Sequence, residues 1–231
     1  MKILILPVLA FFCLSAMAQN PITSTQAIER NMKASGEFYS WSAGNSKING
    51  SPYITEEFQP GMIHWNRKWN EGINLRYNIY QGTFEAKLES GTIVIDPLKN
   101  KIDTVKYRDE VFVKKYRIEG EKTIVAYLAL LGEKNGYALY KQYRIKITEA
   151  VTDTDLYNEA KPAEYKKLDP VFYVFRANEH WTANGSKSLA EIFQIDTKVV
   201  KKYLKDNKYR LSREEDLLEA VLHFSGSFNP S

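Results

Sequence analysis

Residues 73–80 alternate strictly between apolar and polar side chains. One side carries Ile73, Leu75, Tyr77 and Ile79, and the other carries Asn74, Arg76, Asn78 and Tyr80. A period of two is typical of a half-buried β-strand. Runs of similar character flank this segment in the sequence, which therefore predicts one antiparallel sheet built outward from it.

The chain from residue 50 to residue 150 is predicted as a β-domain. The predicted strands span residues 61–66, 73–80, 83–89, 92–95, 104–107, 110–118, 123–131 and 137–148. Residues 66–72 are predicted as a loop, and the other connections are short and polar. Short connections favour antiparallel neighbours, so we expect a meander of about eight strands. A sheet of that size tends to curl or close, which predicts a curled sheet or a half-open barrel.

Residues 1–18 have the pattern of a secretory signal peptide. Lys2 precedes an apolar run over residues 3–14, and the Ala16-Met-Ala18 exit resembles a cleavage site. The apolar run is shorter than the roughly 20 residues that a membrane-spanning helix needs. We therefore expect cleavage after Ala18 and an exported protein, either periplasmic or extracellular.

The single cysteine, Cys13, lies inside this predicted signal peptide, so the predicted mature chain has none. Phe11 and Phe12 precede it where a lipidation site would have small residues, so lipidation is rejected. A mature chain of about 210 residues without disulfides must be held by its own core. Loss of Lys2 takes the formal charge from +4 to +3, which gives no reason to expect nucleic acid as a partner.

The remaining segments extend the β-domain into an α+β, mainly β, protein. Residues 19–49 are predicted as a lead-in with a short helix, residues 151–169 as a linker, and residues 170–231 as a β-hairpin plus helices packed on the sheet. The predicted C-terminal helices span residues 188–194, 196–207 and 212–224. Asp196 is the expected N-cap of the second, and Ser212 with Glu215 fits a capping box for the third.

The sequence lacks the usual catalytic patterns. It has no Gly-x-Ser-x-Gly segment, no glycine-rich phosphate loop and no metal-ligand spacing among His64, His180 and His223. No catalytic residue, cofactor or metal is predicted, which argues against an enzyme. Folded chains also assemble sites from distant residues, so a hydrolase built around His64 or His180 stays as an alternative.

Aromatic residues beside polar segments are the candidate binding residues. Trp69 lies in a polar run and is expected to be exposed, while Trp65 is expected in the core. His180 and Trp181 are adjacent near the C-terminal hairpin. Tryptophans in such places serve as ligand or partner platforms, or else close the ends of a sheet. Trp69, His180 and Trp181 are therefore predicted to bind a ligand or partner.

A basic strip lies on the penultimate predicted helix, at Lys198, Lys201, Lys202 and Lys205. Such a strip could contact an anionic membrane surface or an acidic partner. The plainer interpretation is a solvated helix face whose lysine stems cover the apolar stripe beneath.

One string of residues carries a resemblance to known proteins. It consists of Gly50-Ser51-Pro52-Tyr53, Glu57-Phe58, Gly61 and Leu75-Arg76-Tyr77-Asn78-Ile79-Tyr80. On these residues the chain resembles a family of uncharacterised exported proteins common in Bacteroidota, over roughly residues 50–224. The resemblance implies an envelope location and no catalytic residues.

These observations predict a non-enzymatic cell-envelope protein that binds a protein partner or an apolar ligand through its β-domain. One alternative is a lipid or lipoprotein carrier in which a half-open barrel keeps its concave face accessible. The other is the hydrolase built around His64 or His180.

Overall fold

The computed structural model describes residues 24–40, 48–150 and 162–227. The predicted signal peptide and most of the predicted linker lie outside these ranges. The described strands are β1 (Tyr39–Ser40), β2 (Gln59–Trp65), β3 (Lys68–Asn78), β4 (Thr83–Leu88), β5 (Gly91–Ile95), β6 (Thr104–Tyr107), β7 (Glu110–Glu119), β8 (Lys122–Lys134), β9 (Tyr137–Thr148), β10 (Glu164–Arg176) and β11 (Glu179–Thr182). The described helices are α1 (Ser24–Ser35), α2 (Ser186–Ile192), α3 (Thr197–Asp206) and α4 (Glu214–Ser227).

All eleven described strands join one antiparallel sheet in the order β1-β5-β4-β3-β2-β6-β7-β8-β9-β10-β11. The predicted mainly β class is confirmed, but the single meander is wrong at one point. β6 pairs with β2 rather than with β5, so two meanders meet at the β2–β6 pair. Pro97 ends the pairing after β5 because it has no N–H to donate. The chain then crosses over residues 96–103, and Ile102 of this segment is fully buried.

The sheet curls strongly around a first core. The Tyr77 ring on β3 lies 5.1 Å from the Phe112 ring on β7, although two strands separate them in the sheet. The interior is filled by large side chains that are at most 1% exposed, among them Phe84, Tyr107, Phe112 and Tyr127. Within the described residues β1 and β11 remain opposite edges of the order, so the sheet is curled and not closed into a barrel.

Residues 49–54 span the opening of this curled sheet, and we call them the strap. At one end the Tyr165 N–H on β10 donates to the Asn49 carbonyl oxygen over 2.9 Å. At the other end the Ile79 N–H, just after β3, donates to the Pro52 carbonyl oxygen over 2.8 Å. The strap thus satisfies backbone groups on both sides of the opening.

A second core lies where β9 and β10 continue past the first. Leu139 and Val174 are fully buried there against the C-terminal helices, together with Leu189, Val200, Leu217 and Val221. The helices therefore cover one face of this half of the sheet. Across the described helices, none combines the length and the apolar character that a membrane span requires.

The predicted loop over residues 66–72 is wrong. β2 ends at Trp65 and β3 begins at Lys68, so only Asn66 and Arg67 connect them. Their φ angles are 53° and 61°, the positive values that a tight two-residue hairpin turn requires. The tight turn makes the polar residues that follow it part of a long strand.

The predicted linker over residues 151–169 and the predicted start of the last helix also need correction. Residues 164–169 belong to β10, which runs alongside β9 from Glu164. Residues 164–169 were predicted as a linker because they are rich in lysine. They form a strand nevertheless, because this part of β10 lies at an edge beside the strap, where exposed polar side chains are tolerated. α4 begins at Glu214, and its first backbone hydrogen bond runs from the Leu217 N–H to the Arg213 carbonyl, so Ser212 is not its N-cap. Asp196 does cap α3, accepting from the Lys198 N–H over 2.7 Å.

Candidate functional site

A cleft of about 440 Å³ opens between the distal half of β7 and the β10–β11 hairpin. Its lining includes Lys115, Tyr116, Arg117, Ile118, Phe175 and His180. We call it the outer-face cleft, because alternation along β7 puts Lys115 and Arg117 opposite the core residue Phe112.

Aromatic rings form the floor beneath the two cations. Lys115 Nζ lies 4.6 Å from the Tyr140 ring centroid and 5.3 Å from that of Phe175. The Arg117 guanidinium carbon lies 4.7 Å from the Tyr173 ring centroid. All three rings are at least nine-tenths buried, which weakens the screening of such cation–ring contacts by water.

Arg117 is only 5% exposed and is incompletely hydrogen-bonded. Its Nε donates to Glu119 Oε1 over 2.7 Å, and its Nη2 donates to Gln142 Oε1 over 3.0 Å. Its Nη1 is buried and has no hydrogen-bond partner among the described residues. A buried guanidinium N–H without an acceptor is costly, so this atom marks a place where an acceptor would be stabilising.

Lys115, which is half-buried, forms no ion pair within the described ranges, whereas the buried cation Lys141 does. Lys141 Nζ lies 2.7 Å from Glu110 and 3.0 Å from Glu214 on α4. Burial opposes the charge of Lys141, but hydrogen bonds with Glu110, Tyr143 and Glu214 outweigh it and raise the pKa of Lys141. Burial also raises the pKa of Tyr143 to about 12, with the Lys141 hydrogen bond opposing and the Glu110 hydrogen bond adding to that rise. These charges hold α4 on the sheet, whereas Arg117 pairs with Glu119 alone and Lys115 has no carboxylate partner among the described residues.

The structure places the three predicted binding residues, Trp69, His180 and Trp181, in different surroundings. His180 stacks on Phe175 in the outer-face cleft, with ring centroids 5.6 Å apart. Trp181, one residue on, faces the opposite side and packs against the second core. Trp69 is 39% exposed as expected and lines a separate pocket beside α1, and Trp65 is buried at 3%.

A further cleft, of about 390 Å³, is lined by His64, Asn66, Arg67, Lys101 and Asp103, and we call it the His64 cleft. His64 Nδ1 and Asp103 Oδ1 are 2.9 Å apart. The Trp69 ring lies 5.3 Å from the His64 ring. β2 carries the histidine, and Asp103 immediately precedes β6, so the pairing of these two strands brings the groups together.

The predicted basic strip lies along α3, where Lys198, Lys201, Lys202 and Lys205 are all exposed. Lys202 pairs with Asp206 one turn away on the same helix. This is the geometry of a solvated helix face, and contact with a membrane or a partner stays a prediction. Within the described part of the chain, no group of three or more His, Cys, Asp or Glu side chains is arranged to hold a metal ion.

Sequence reasoning missed Lys115, Arg117 and Asp103. Lys114-Lys115-Tyr116-Arg117 was readable as a basic run within a predicted strand. Which rings lie below it depends on the curl of the sheet, which the run itself does not specify.

Comparison of the chain with protein-family models, with curated proteins and with solved structures gave no significant match. The geometry of the two clefts therefore carries the functional proposals.

Proposed function

We propose that this protein is a non-enzymatic, exported binding protein of the cell envelope that takes a protein partner on the distal end of the β7–β8 hairpin. The observation that carries the proposal is the pair Tyr116 and Ile118, which are 61% and 68% exposed. Both are among the residues that line the outer-face cleft, and strand alternation puts them on the face of β7 opposite to Lys115 and Arg117. Large apolar side chains exposed together beside a cleft are typical of interaction sites.

The filled interior of the curled sheet favours a surface site over an internal one. Rings of Phe84, Phe112 and Tyr127 occupy the space that a carried lipid would need. Interiors packed in this way do not open for a ligand without loss of many contacts. The lipid-carrier alternative is therefore the weaker one on packing grounds. Export itself rests on the predicted signal peptide.

Site-specific photo-crosslinking tests the proposal. The photo-reactive residue p-benzoylphenylalanine replaces Ile118 in one protein and Leu98, which is 73% exposed on a different loop, in the matched control. With envelope extract we expect a discrete adduct from position 118 alone. Unlabelled wild-type protein should compete for that adduct, and the Tyr116→Asp/Ile118→Asp protein should not. Adducts of equal yield at both positions, or none at position 118, would refute the proposed surface.

The His64 cleft supports a second candidate, a hydrolase, because a carboxylate holds the imidazole in place. If Nδ1 donates its proton to Asp103, the lone pair on Nε2 is available to take a proton from water. Arg67 and Lys101 would then supply positive charge beside a developing oxyanion. Turnover of ester, peptide or glycoside panels that His64→Gln abolishes and His180→Gln leaves intact would establish it. Absence of turnover by the wild-type protein would exclude those reactions.

A further inference from the structure

We propose that the outer-face cleft binds a carboxylate attached to an aromatic or apolar group, with Lys115 and Arg117 as the donors. This inference rests on the proposed binding function and names the chemistry of what enters the cleft. Three features point to it: an unpartnered buried donor, a cation without a carboxylate, and aromatic walls.

Arg117 keeps N–H groups to which no acceptor is matched. Nε donates to Glu119 and Nη2 donates to Gln142, whereas Nη1, which carries two N–H groups, has no hydrogen-bond partner among the described residues. Because the Nε and Nη2 side of the guanidinium is already engaged, we assign Nη1 as the donor to one carboxylate oxygen of the ligand. Lys115 lines the same cleft without an ion pair in the described chain, and we assign it as the donor to the other oxygen.

Phe175 and His180 bring flat rings to the same cleft. They stack on one another with an angle of 27° between their ring planes. Aromatic rings offer both their faces and their edges to an apolar group, which favours a ligand with a flat or branched body over a bare anion. None of the residues lining the cleft is acidic. The Glu119 carboxylate lies 2.7 Å from Arg117 Nε and offsets part of its charge, so Lys115 supplies the uncompensated positive charge.

The experiment uses phenylacetate as the probe and benzyl alcohol as its neutral counterpart, followed by nuclear magnetic resonance of isotope-labelled full-length mature protein. We expect saturable shifts at Lys115, Arg117, Phe175 and His180 with phenylacetate and none with benzyl alcohol. Binding should weaken in about 0.5 M NaCl, because salt screens the charges of the cleft. Shifts that do not saturate, or that centre elsewhere, would overturn the proposal.

Lys115→Met removes the charge and keeps most of the stem, so it tests the donor without emptying the cleft. We expect its Kd for phenylacetate to rise about tenfold, the effect of losing one charge-assisted hydrogen bond. Lys106→Met is the matched control, since Lys106 Nζ lies 4.6 Å from the Trp69 ring centroid in a different place. An equal Kd for Lys115→Met and wild type, with both proteins folded, would overturn the role of Lys115.

Competition separates this inference from the proposed function. If phenylacetate suppresses the crosslink at position 118, the carboxylate belongs to the partner, which supports both statements. If phenylacetate binds without suppressing it, the site is confirmed and its link to the partner is lost. A crosslink that persists in a protein with no phenylacetate binding leaves the proposed function standing and refutes the carboxylate site.

Discussion

The Phe84 ring on β4 lies 5.5 Å from the Tyr127 ring on β8. Five strand spacings separate these strands along the order β4-β3-β2-β6-β7-β8, which would place them about 24 Å apart in a flat sheet. The contact therefore measures how far the sheet curls. Phe84 also contacts Tyr77, Tyr107 and Phe112, so it lies at the centre of the first core.

Phe84→Ala should be one of the most destabilising single changes in the chain. Truncation of a buried phenylalanine leaves a cavity and costs about 3–5 kcal/mol. Urea unfolding followed by tryptophan fluorescence measures the free energy of unfolding. Tyr116→Ala, at a residue 61% exposed, is the control and should stay within about 0.5 kcal/mol of wild type. A small loss for Phe84→Ala would mean that the core is not packed around this ring.

Gly61 has no side chain, which lets the backbone of β6 come close to β2. Replacement of Gly61 should therefore destabilise the pairing of β2 with β6. A Cβ at this position would lie 2.7 Å from the Lys106 carbonyl oxygen and 2.7 Å from Leu75 Cδ1. Because the oxygen belongs to a paired strand, it cannot move freely, and we expect Gly61→Ala to cost about 1–3 kcal/mol.

Gly185→Ala is the matched control for Gly61→Ala in urea unfolding. An added Cβ at Gly185 would meet no atom within 4 Å, and its φ of 174° is ordinary extended backbone. Its cost should stay below about 1 kcal/mol, the scale of a changed helix N-cap. An equal loss of unfolding free energy in Gly61→Ala and Gly185→Ala would contradict the close approach at Gly61.

The residues on which the family resemblance rests have structural roles here. Gly50 has a φ of 77° in the strap, where its Cβ would lie 3.2 Å from the Tyr165 carbonyl oxygen. Tyr53 and Arg76 enclose the buried carboxylate of Glu85. The residues that carry the resemblance thus stabilise the curled sheet. Lys115 and Arg117 of the outer-face cleft are not among them.

Local periodicity predicted the positions of the strands well, but it predicted less well which strands pair with one another. Thr104–Tyr107 and Tyr137–Thr148 have the predicted bounds. The β2–β6 pairing was not predictable from short loops, since residues 96–103 cross to a distant edge. His64 and Asp103 are 39 residues apart, and only that crossing makes them neighbours.

Arg76 and Glu85 form a partly buried ion pair that can be tested by a double-mutant cycle. Arg76 Nε lies 2.8 Å from Glu85 Oε2, and Glu85 is fully buried, with the Tyr53 hydroxyl donating to its Oε1 over 3.0 Å. Arg76→Met leaves that carboxylate without its cation, which costs about 3–5 kcal/mol.

The double variant Arg76→Met/Glu85→Met removes both charges and should be more stable than Arg76→Met alone, because no uncompensated charge remains. Thermal and urea unfolding of the four proteins give the coupling energy. Additive losses from the two single changes would show that the pair is not coupled.

Glu29 ties α1 to the β4–β5 turn in a way that depends on pH. Its carboxylate accepts from the backbone N–H groups of Glu89 and Ser90, each over 3.2 Å, and pairs with Lys33 over 3.1 Å. A hydrogen bond from the Ser90 side chain is the largest cause that lowers the pKa of Glu29 below 4.5, against the opposing effect of burial. The folded state therefore binds fewer protons than the unfolded state just below that pH.

A lowered carboxyl pKa stabilises the fold above the unfolded-state pKa, and that stabilisation is lost as the pH falls through the folded-state pKa. The free energy of unfolding of wild type should thus exceed that of Glu29→Gln at pH 7, and the difference should shrink as the pH falls below 4.5. Urea unfolding of both proteins across that range measures it. Glu121→Gln, at an exposed glutamate in the β7–β8 turn, should show no such pH-dependent difference from wild type. A difference between wild type and Glu29→Gln that stays constant with pH would show that the carboxylate charge does not hold α1 in place.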